Sequence, residues 1–336
     1  MKILVFGDCH WSTYSSILRK RDTLYSFRLQ NLINSINWLE EYAEKNNIDT
    51  IVGLGDFFDR ETLNSEEITA LTGIRWSNIP HYLLIGNHEM GRNDLFYSST
   101  NVFNSKNFYI ISKLSLINLD PNVNTIFIPY IINPSSNYLT NKKNKKTIIF
   151  SHNDIAGIQL GKFISKTGFE IKDIEENCDL FINGHIHNGS KITDKIINLG
   201  NLTGQNFSED AYKYSHNIMI LDTNTLKYEL IENPYAINFY KVDGVNYTPN
   251  FCSFKQNSVI TIKSLEKDVS YYEEEIKKYS NIIEYRILIE KETLNNIDNI
   301  KNEELVTDHI SEFKKYVLEN IGTSEIILEE LEEVCK

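Results

Sequence analysis

Short apolar runs alternate with polar, glycine-marked breaks along the first part of the chain. Residues 3–6, 50–54, 82–85, 147–150 and 180–182 are rich in Ile, Val, Leu and Phe. Runs of this length predict buried strands. Between the first two, Leu29, Leu32, Ile33, Ile36, Leu39 and Ala43 recur at helical spacing, so a helix is predicted over roughly 25–45. A second helix is predicted over roughly 65–76, with Glu66 and Glu67 in its first turn, where negative charge suits the helix dipole. The order strand, helix, strand, helix, strand predicts a layered α/β domain. Residues 196–199 and 217–221 are expected to add strands that close a second sheet.

The pattern changes near Asn233-Pro234. Beyond it the chain predicts a strand over 259–264, a helix over 269–279, a strand over 282–290 and a helix over 307–320. A last helix-prone stretch, 324–334, is acidic with Ile326, Ile327, Leu328, Leu331 and Val334 interspersed. The expected organisation is a large domain over 1–235, a small α+β capping domain over 236–322 and an acidic helix over 323–336 that docks on a partner or a second copy.

With 336 residues, there is room for one large domain and such an appendage. Hydrophobic residues make up 41% and charged residues 24%, as in a folded globular protein. The net charge of −12 excludes a wholly basic nucleic-acid binder but not a local basic groove. A negative chain acting on a polyanion needs metals or a basic partner at the contact. Cys9, Cys178, Cys252 and Cys335 are far apart with no CxxC pair. That argues against a disulfide framework or zinc knuckle and fits a reducing cytosol. The first apolar run is too short for a signal peptide or a membrane span.

Each predicted strand of the large domain leads into a polar segment. In order these are Gly7-Asp8-Cys9-His10, Gly55-Asp56-Phe57-Phe58-Asp59-Arg60, Gly86-Asn87-His88-Glu89, Ser151-His152-Asn153-Asp154 and Gly184-His185-Ile186-His187. Ligands of open α/β sheets gather just beyond strand ends. Asp8 and His10 alternate and can point to one side. Asp56 can bridge two cations, although alone it reads equally as a helix cap. Asn87 offers a carbonyl oxygen, and Gly86 before it permits a tight turn. His88 cannot easily face the same cation as Asn87, which leaves it free to act as an acid toward a leaving group. His185 and His187 alternate and can address two adjacent cations. Together the five segments predict two divalent metals side by side, and hence phosphoester hydrolysis.

These five segments resemble the calcineurin-like metallophosphoesterases. The Gly-His-Ile-His ending resembles the nuclease branch, and the chain length, tail and Gly-Asp-Phe-Phe-Asp segment resemble SbcD-type nucleases, including their T-even phage form. The resemblance implies an α/β fold: a layered two-sheet β-sandwich flanked by helices, with a small α+β C-terminal capping domain. It implies one metal held by Asp8, His10, Asp56 and His187, and another by Asp56, Asn87, His152 and His185, with Asp56 as the bridge. His88 corresponds to the catalytic histidine, and manganese is the usual metal. It further implies a DNA nuclease with 3′→5′ exonuclease and single-strand endonuclease activity in recombination and repair. Such an enzyme works in the cytoplasm, or the host cytoplasm for a virus, as a homodimer with an SbcC-type coiled-coil ATPase.

Several residues bear on the alternatives. Asp59 is expected either to orient His88 as a catalytic partner or to cap the helix at Ser65. Arg60 after Asp59, and Glu89 after His88, resemble Ser/Thr phosphatases, so a phosphoprotein or small-phosphoester phosphatase is the first rival. A catalytically inactive scaffold is the second. Arg19, Lys20 and Arg21, with Arg28 beyond, are candidate DNA contacts, as is Arg60; Lys142, Lys143, Lys145 and Lys146 read better as a solvated hairpin. Asp154 reads as either a hydrogen-bond partner of a ligand ring or a turn carboxylate. His81 is expected to be structural, His216 and His309 to be surface or packing residues, and Cys9 to be core rather than a ligand.

Overall fold

Strand β1, Lys2–Phe6, is buried at every position but its first, so it lies between two layers. Alternation sends Ile3 and Val5 into one core and Leu4 and Phe6 into another. The computed structural model describes residues 1–14, 17–18, 24–103, 106–139, 145–160 and 163–290, all within one unit, Met1–Lys291.

The first sheet adds β2 (Thr50–Gly53), β3 (His81–Leu84), β6 (Phe108–Ile111), β15 (Asn217–Asp222) and β16 (Tyr228–Glu232), in the order β16-β15-β1-β2-β3-β6. The pairs β1–β2, β2–β3 and β3–β6 are parallel, while β15 runs antiparallel to β1 and β16 to β15. The second sheet contains β7 (Ser115–Ile117), β8 (Val123–Ile128), β9 (Lys146–Ser151), β12 (Leu180–Asn183), β13 (Ser190–Lys191) and β14 (Ile196–Asn198), in the order β13-β14-β12-β9-β8-β7. Its strands β8, β9, β12 and β14 are parallel. Val5, Val52 and Met219 of the first sheet meet Phe127, Phe150 and Ile182 of the second in one core.

Helices cover both outer faces. Helix α1, Phe27–Lys45, starts at Ser26, whose side chain accepts from the Leu29 N–H. Helix α2, Ser65–Thr72, starts at a capping box in which Asn64 and Glu67 satisfy each other's backbone. Both pack on Leu4, Phe6, Ile51 and Leu83. Helix α3, Ile171–Asn177, packs through Ile174 against Ile149 and Phe181 on the far side of the second sheet. The mixed α/β sandwich flanked by helices is therefore as expected. A hairpin, β4 (Met90–Gly91) with β5 (Asp94–Ser98), and a ribbon, β10 (Gln159–Leu160) with β11 (Phe163–Ile164), stand apart from the sheets. A third, parallel sheet joins β17 (Asn238–Asp243), β18 (Ser258–Ser264) and β19 (Ile282–Ile289), with helix α4 (Val269–Ile276) packed on it.

Four details differ from the sequence reading. Residues 217–221 do not close the second sheet; β15 returns to the first, beside β1, where Met219 and Leu221 face the sandwich core and Ile218 faces the helices. Helix α2 ends at Thr72, because Gly73 caps it, and Trp76 then packs edge-on to Phe103 and Phe108 outside any helix. Helix α4 stops at Ile276 rather than Tyr279. Strand β17 occupies residues to which the sequence assigned no element. The predicted helix over 307–320 and the acidic segment 323–336 lie outside the described residues.

His81 is buried beside this aromatic group, stacked on Phe108 at 4.5 Å. Its Nε2 lies 2.7 Å from Glu40 Oε1, and its Nδ1 lies 2.7 Å from the Ile79 carbonyl. The other Glu40 oxygen accepts from the Ser77 N–H at 3.1 Å. Glu40→Ala strips partners from two buried groups and is expected to cost about 1–3 kcal/mol. Urea unfolding measures that loss, and unchanged metal binding is expected to show that the damage stays in the helix layer.

Candidate metal centre

The parallel strands β1, β2, β3, β9 and β12 deliver their C-terminal ends to one edge of the sandwich. The residues beyond those ends converge. Asp8, His10 and His187 form one group whose ligand atoms lie within 4.8 Å of one another; Asp56, His152 and His185 form another; His10, Asp56 and His88 form a third, overlapping one. Asp8, His10, Asp56 and His152 are buried, His185 and His187 half-buried, and the His88 side chain 41% exposed.

The backbone is bent to achieve this. His10, Asp56 and His185 take φ values of +49°, +49° and +72°, a left-handed conformation that costs side-chain-bearing residues about 1–3 kcal/mol each. Gly86 is obligatory for packing: a Cβ there would fall 2.1 Å from Asp56 Oδ1. That oxygen accepts from the His88 N–H at 2.9 Å. Both Asp8 oxygens accept from the His185 N–H, at 3.0 and 3.1 Å, which ties the first sheet to the second.

The donor set fits a cation. His152 Nδ1 donates to the Leu54 carbonyl at 2.8 Å, which aims Nε2 at Asp56 Oδ2, 3.2 Å away, and at Asn87 Oδ1, 3.3 Å away. Three acceptors facing one another need a proton or a metal ion between them. His10 repeats the pattern: its Nδ1 lies 3.1 Å from Asp59 Oδ1, and its Nε2 lies 3.1 Å from His187 Nε2 and 3.9 Å from Asp56 Oδ2. Asp56 Oδ2 thus lies between His10 and His152.

The charges are correspondingly out of balance. Burial pushes the Asp8 carboxyl above the usual carboxylate range, against the pull of His152. Burial works the same way on Asp56, but His152, His10 and His88 together outweigh it and hold this carboxyl well below that range. Burial opposes protonation of His152, yet Asp56 raises it to about 9, whereas burial and neighbouring His10 lower His187 to about 3. The carboxylates favour the protonated forms of both His152 and His10, and a divalent cation would serve both carboxylates at once.

Other sequence-singled residues fall as follows. Asp59 does not cap α2, since Asn64 does. Its carboxylate sits on His10, and only its backbone carbonyl, at 3.2 Å, meets His88 Nδ1; the two side chains are 3.9 Å apart. It therefore orients His10 more directly than His88. Arg60 Nη2 reaches Ser12 Oγ at 3.2 Å and Glu67 Oε1 at 3.6 Å. Arg28 is buried, donating to the carbonyls of Gly204 at 2.8 Å and Cys9 at 3.4 Å, so its guanidinium is engaged within the fold. Arg19, Lys20, Arg21, Lys142, Lys143 and His309 lie outside the described residues. Lys145 and Lys146 donate to the Pro121 and Asn224 carbonyls. Asp154 Oδ1 lies 3.3 Å from His185 Nε2. Cys9 is buried, as expected, and His216 is a buried packing residue rather than a surface one.

Two supports escaped the sequence reading. Glu89 accepts from the Phe58 N–H and the Gly86 N–H, both at 3.0 Å, and so fastens the Asp56 loop to the Asn87 loop. Burial and nearby Asp56 raise its carboxyl to about 8. Asn183 exchanges hydrogen bonds with the Asn153 backbone at 2.9 and 3.2 Å, joining the His185 and His152 loops. The signal for Asn183 was a polar residue closing an apolar run just before Gly184.

A family model described as calcineurin-like phosphoesterase matches residues 1–189. No curated protein gives a match. Among solved structures, a Thermus thermophilus protein is 8% identical, covering 69% of this chain and 98% of that chain, with a TM-score of 0.39. A dimetal phosphatase from Danio rerio is 12% identical, covering 69% and 98%, with a TM-score of 0.39. The E. coli phosphoesterase Yfce is 12% identical, covering 69% and 100%, with a TM-score of 0.29.

Because Asp56 faces histidines of both groups, Asp56→Asn is expected to weaken two cation sites, and Asp8→Asn mainly one. Manganese titration of each variant measures this, and equal effects would remove Asp56 from the bridging position.

Proposed function

Since the chain belongs to the calcineurin-like phosphoesterase family, we propose that this metal-dependent phosphoester hydrolase is a DNA nuclease, with 3′→5′ exonuclease and single-strand endonuclease activity. The observation that carries the reading is the Gly184-His185-Ile186-His187 turn. It places His187 with Asp8 and His10, and His185 with Asp56 and His152, in the segment form that resembles the nuclease branch. Two divalent cations held there, manganese in our proposal, would supply a nucleophile at neutral pH and grip the phosphoryl oxygens.

The chain's own groups do the rest. His88 is the exposed member of the set. Its Nδ1 is committed to the Asp59 carbonyl, which leaves Nε2 to protonate the departing oxygen. Asp59 fixes the tautomer of His10 through Nδ1. The two phosphatase-like residues have local partners here: Arg60 lies against Ser12 and Glu67, and Glu89 holds backbone N–H groups. The convergence of the whole ligand set speaks against an inactive scaffold. Among the described residues no helix is long and apolar enough to cross a membrane. The proposal includes work in the cytoplasm, or a host cytoplasm, as a homodimer with an SbcC-type coiled-coil ATPase that docks on the C-terminal segment.

Degradation of linear duplex DNA with manganese, set against hydrolysis of para-nitrophenyl phosphate, tests the substrate: activity on the second alone would make the protein a phosphatase. His88→Ala is expected to retain both metals and lose roughly 10²–10⁴ in turnover. Metal stoichiometry and nuclease rate measured together check this, and loss of a metal would make His88 a ligand.

A further inference from the structure

A cavity of about 470 Å³ opens between the β4–β5 hairpin, the turn after β6 and the segment after β8. That is within the range of small-ligand pockets. Tyr130 lines the cavity, and its ring lies 5.8 Å from that of His185 and 6.5 Å from that of His152. The rest of the apolar lining includes Tyr138, Leu95 and Ile132, and Asn93 and Asn133 supply amides. Ile132 is 60% exposed, an apolar side chain left facing solvent at the lip.

The wall is held in place. The Tyr130 N–H donates to the Ile85 carbonyl at 2.9 Å. Asn153, next to His152, accepts from the Ile131 N–H at 2.8 Å and donates to the Pro129 carbonyl at 3.0 Å. The same side chain thus braces a metal-centre loop and the cavity wall. The lining includes Lys113 and no Asp or Glu, in a chain whose net charge is −12. An aromatic face, amide edges and a lining without carboxylates suit a flat heterocycle attached to phosphate.

We propose that this cavity is a subsite for a nucleobase flanking the scissile phosphate, stacked on or beside Tyr130 while its phosphate reaches the metal centre. The proposal deepens the nuclease reading and rests on it for the substrate. It makes the base a determinant of binding, separate from the phosphate.

Binding of thymidine 5′-monophosphate and of methyl phosphate to the manganese-loaded protein, measured by calorimetry, separates the two contributions. Wild type is expected to bind the nucleotide more tightly than methyl phosphate. Ile132→Asp, a change at an exposed position, and Tyr130→Ala should reduce that preference by about tenfold to a hundredfold, the size of one lost base–aromatic contact. Tyr130→Phe should keep it. No preference in wild type, or variants that weaken both ligands alike or neither, would overturn the subsite. The DNA assay is independent: intact DNA with a retained nucleotide preference would sink the nuclease reading and leave the subsite, while DNA cleavage without any preference would sink the subsite alone.

Discussion

Two buried carboxylates that their neighbours cannot both neutralise govern this molecule. Asp8 and Asp56 are almost wholly removed from water, and an uncompensated charge in such a place costs several kcal/mol. His152, 3.2 Å from Asp56, favours the charged form of that carboxyl, whereas its pull on Asp8 is outweighed by burial, and Asp8 accepts from the His185 N–H. Left-handed backbone at His10, Asp56 and His185, and the missing side chain at Gly86, add to the cost of this arrangement. The parallel strand order, with every contributing C-terminal end at one edge, is what allows those groups to meet.

Much of this was legible in the sequence because each strand is short, apolar and followed at once by a polar segment. The physical signal marks both the strand and its functional end. The β15 partner was not legible: Ile218, Met219 and Leu221 are apolar on both faces, and such a strand fits either sheet until the other five places are filled. The length of α2 was misread because Ile74 and Trp76 continue the apolar pattern past Gly73, and they are core without being helical. Pattern reports burial, and only the cap reports where the helix stops.

The site residues divided along the same line. Asp8, His10, Asp56, Asn87, His152, His185 and His187 could be named because each lies within a few residues of a strand end. Asp59 and Arg28 could not be placed, since a loop carboxylate and a cation on a helix each have several partners within reach. Only the fold shows that Asp59 leans on His10 and that Arg28 is spent on the carbonyls of Gly204 and Cys9. Glu89 looked like a feature of substrate choice and proves to be a strut between loops.

The ligand groups draw on both sheets: Asp8, His10 and Asp56 follow strands of the first, and His152, His185 and His187 follow strands of the second. An ion bound across them is therefore a rivet at the open edge of the sandwich. By mass action such a rivet adds about 2.7 kcal/mol to folding when free metal stands at about a hundred times its dissociation constant. Heat and protease resistance of this protein thus become gauges of metal supply. In a metal-starved compartment the enzyme would lose structural endurance together with its chemistry.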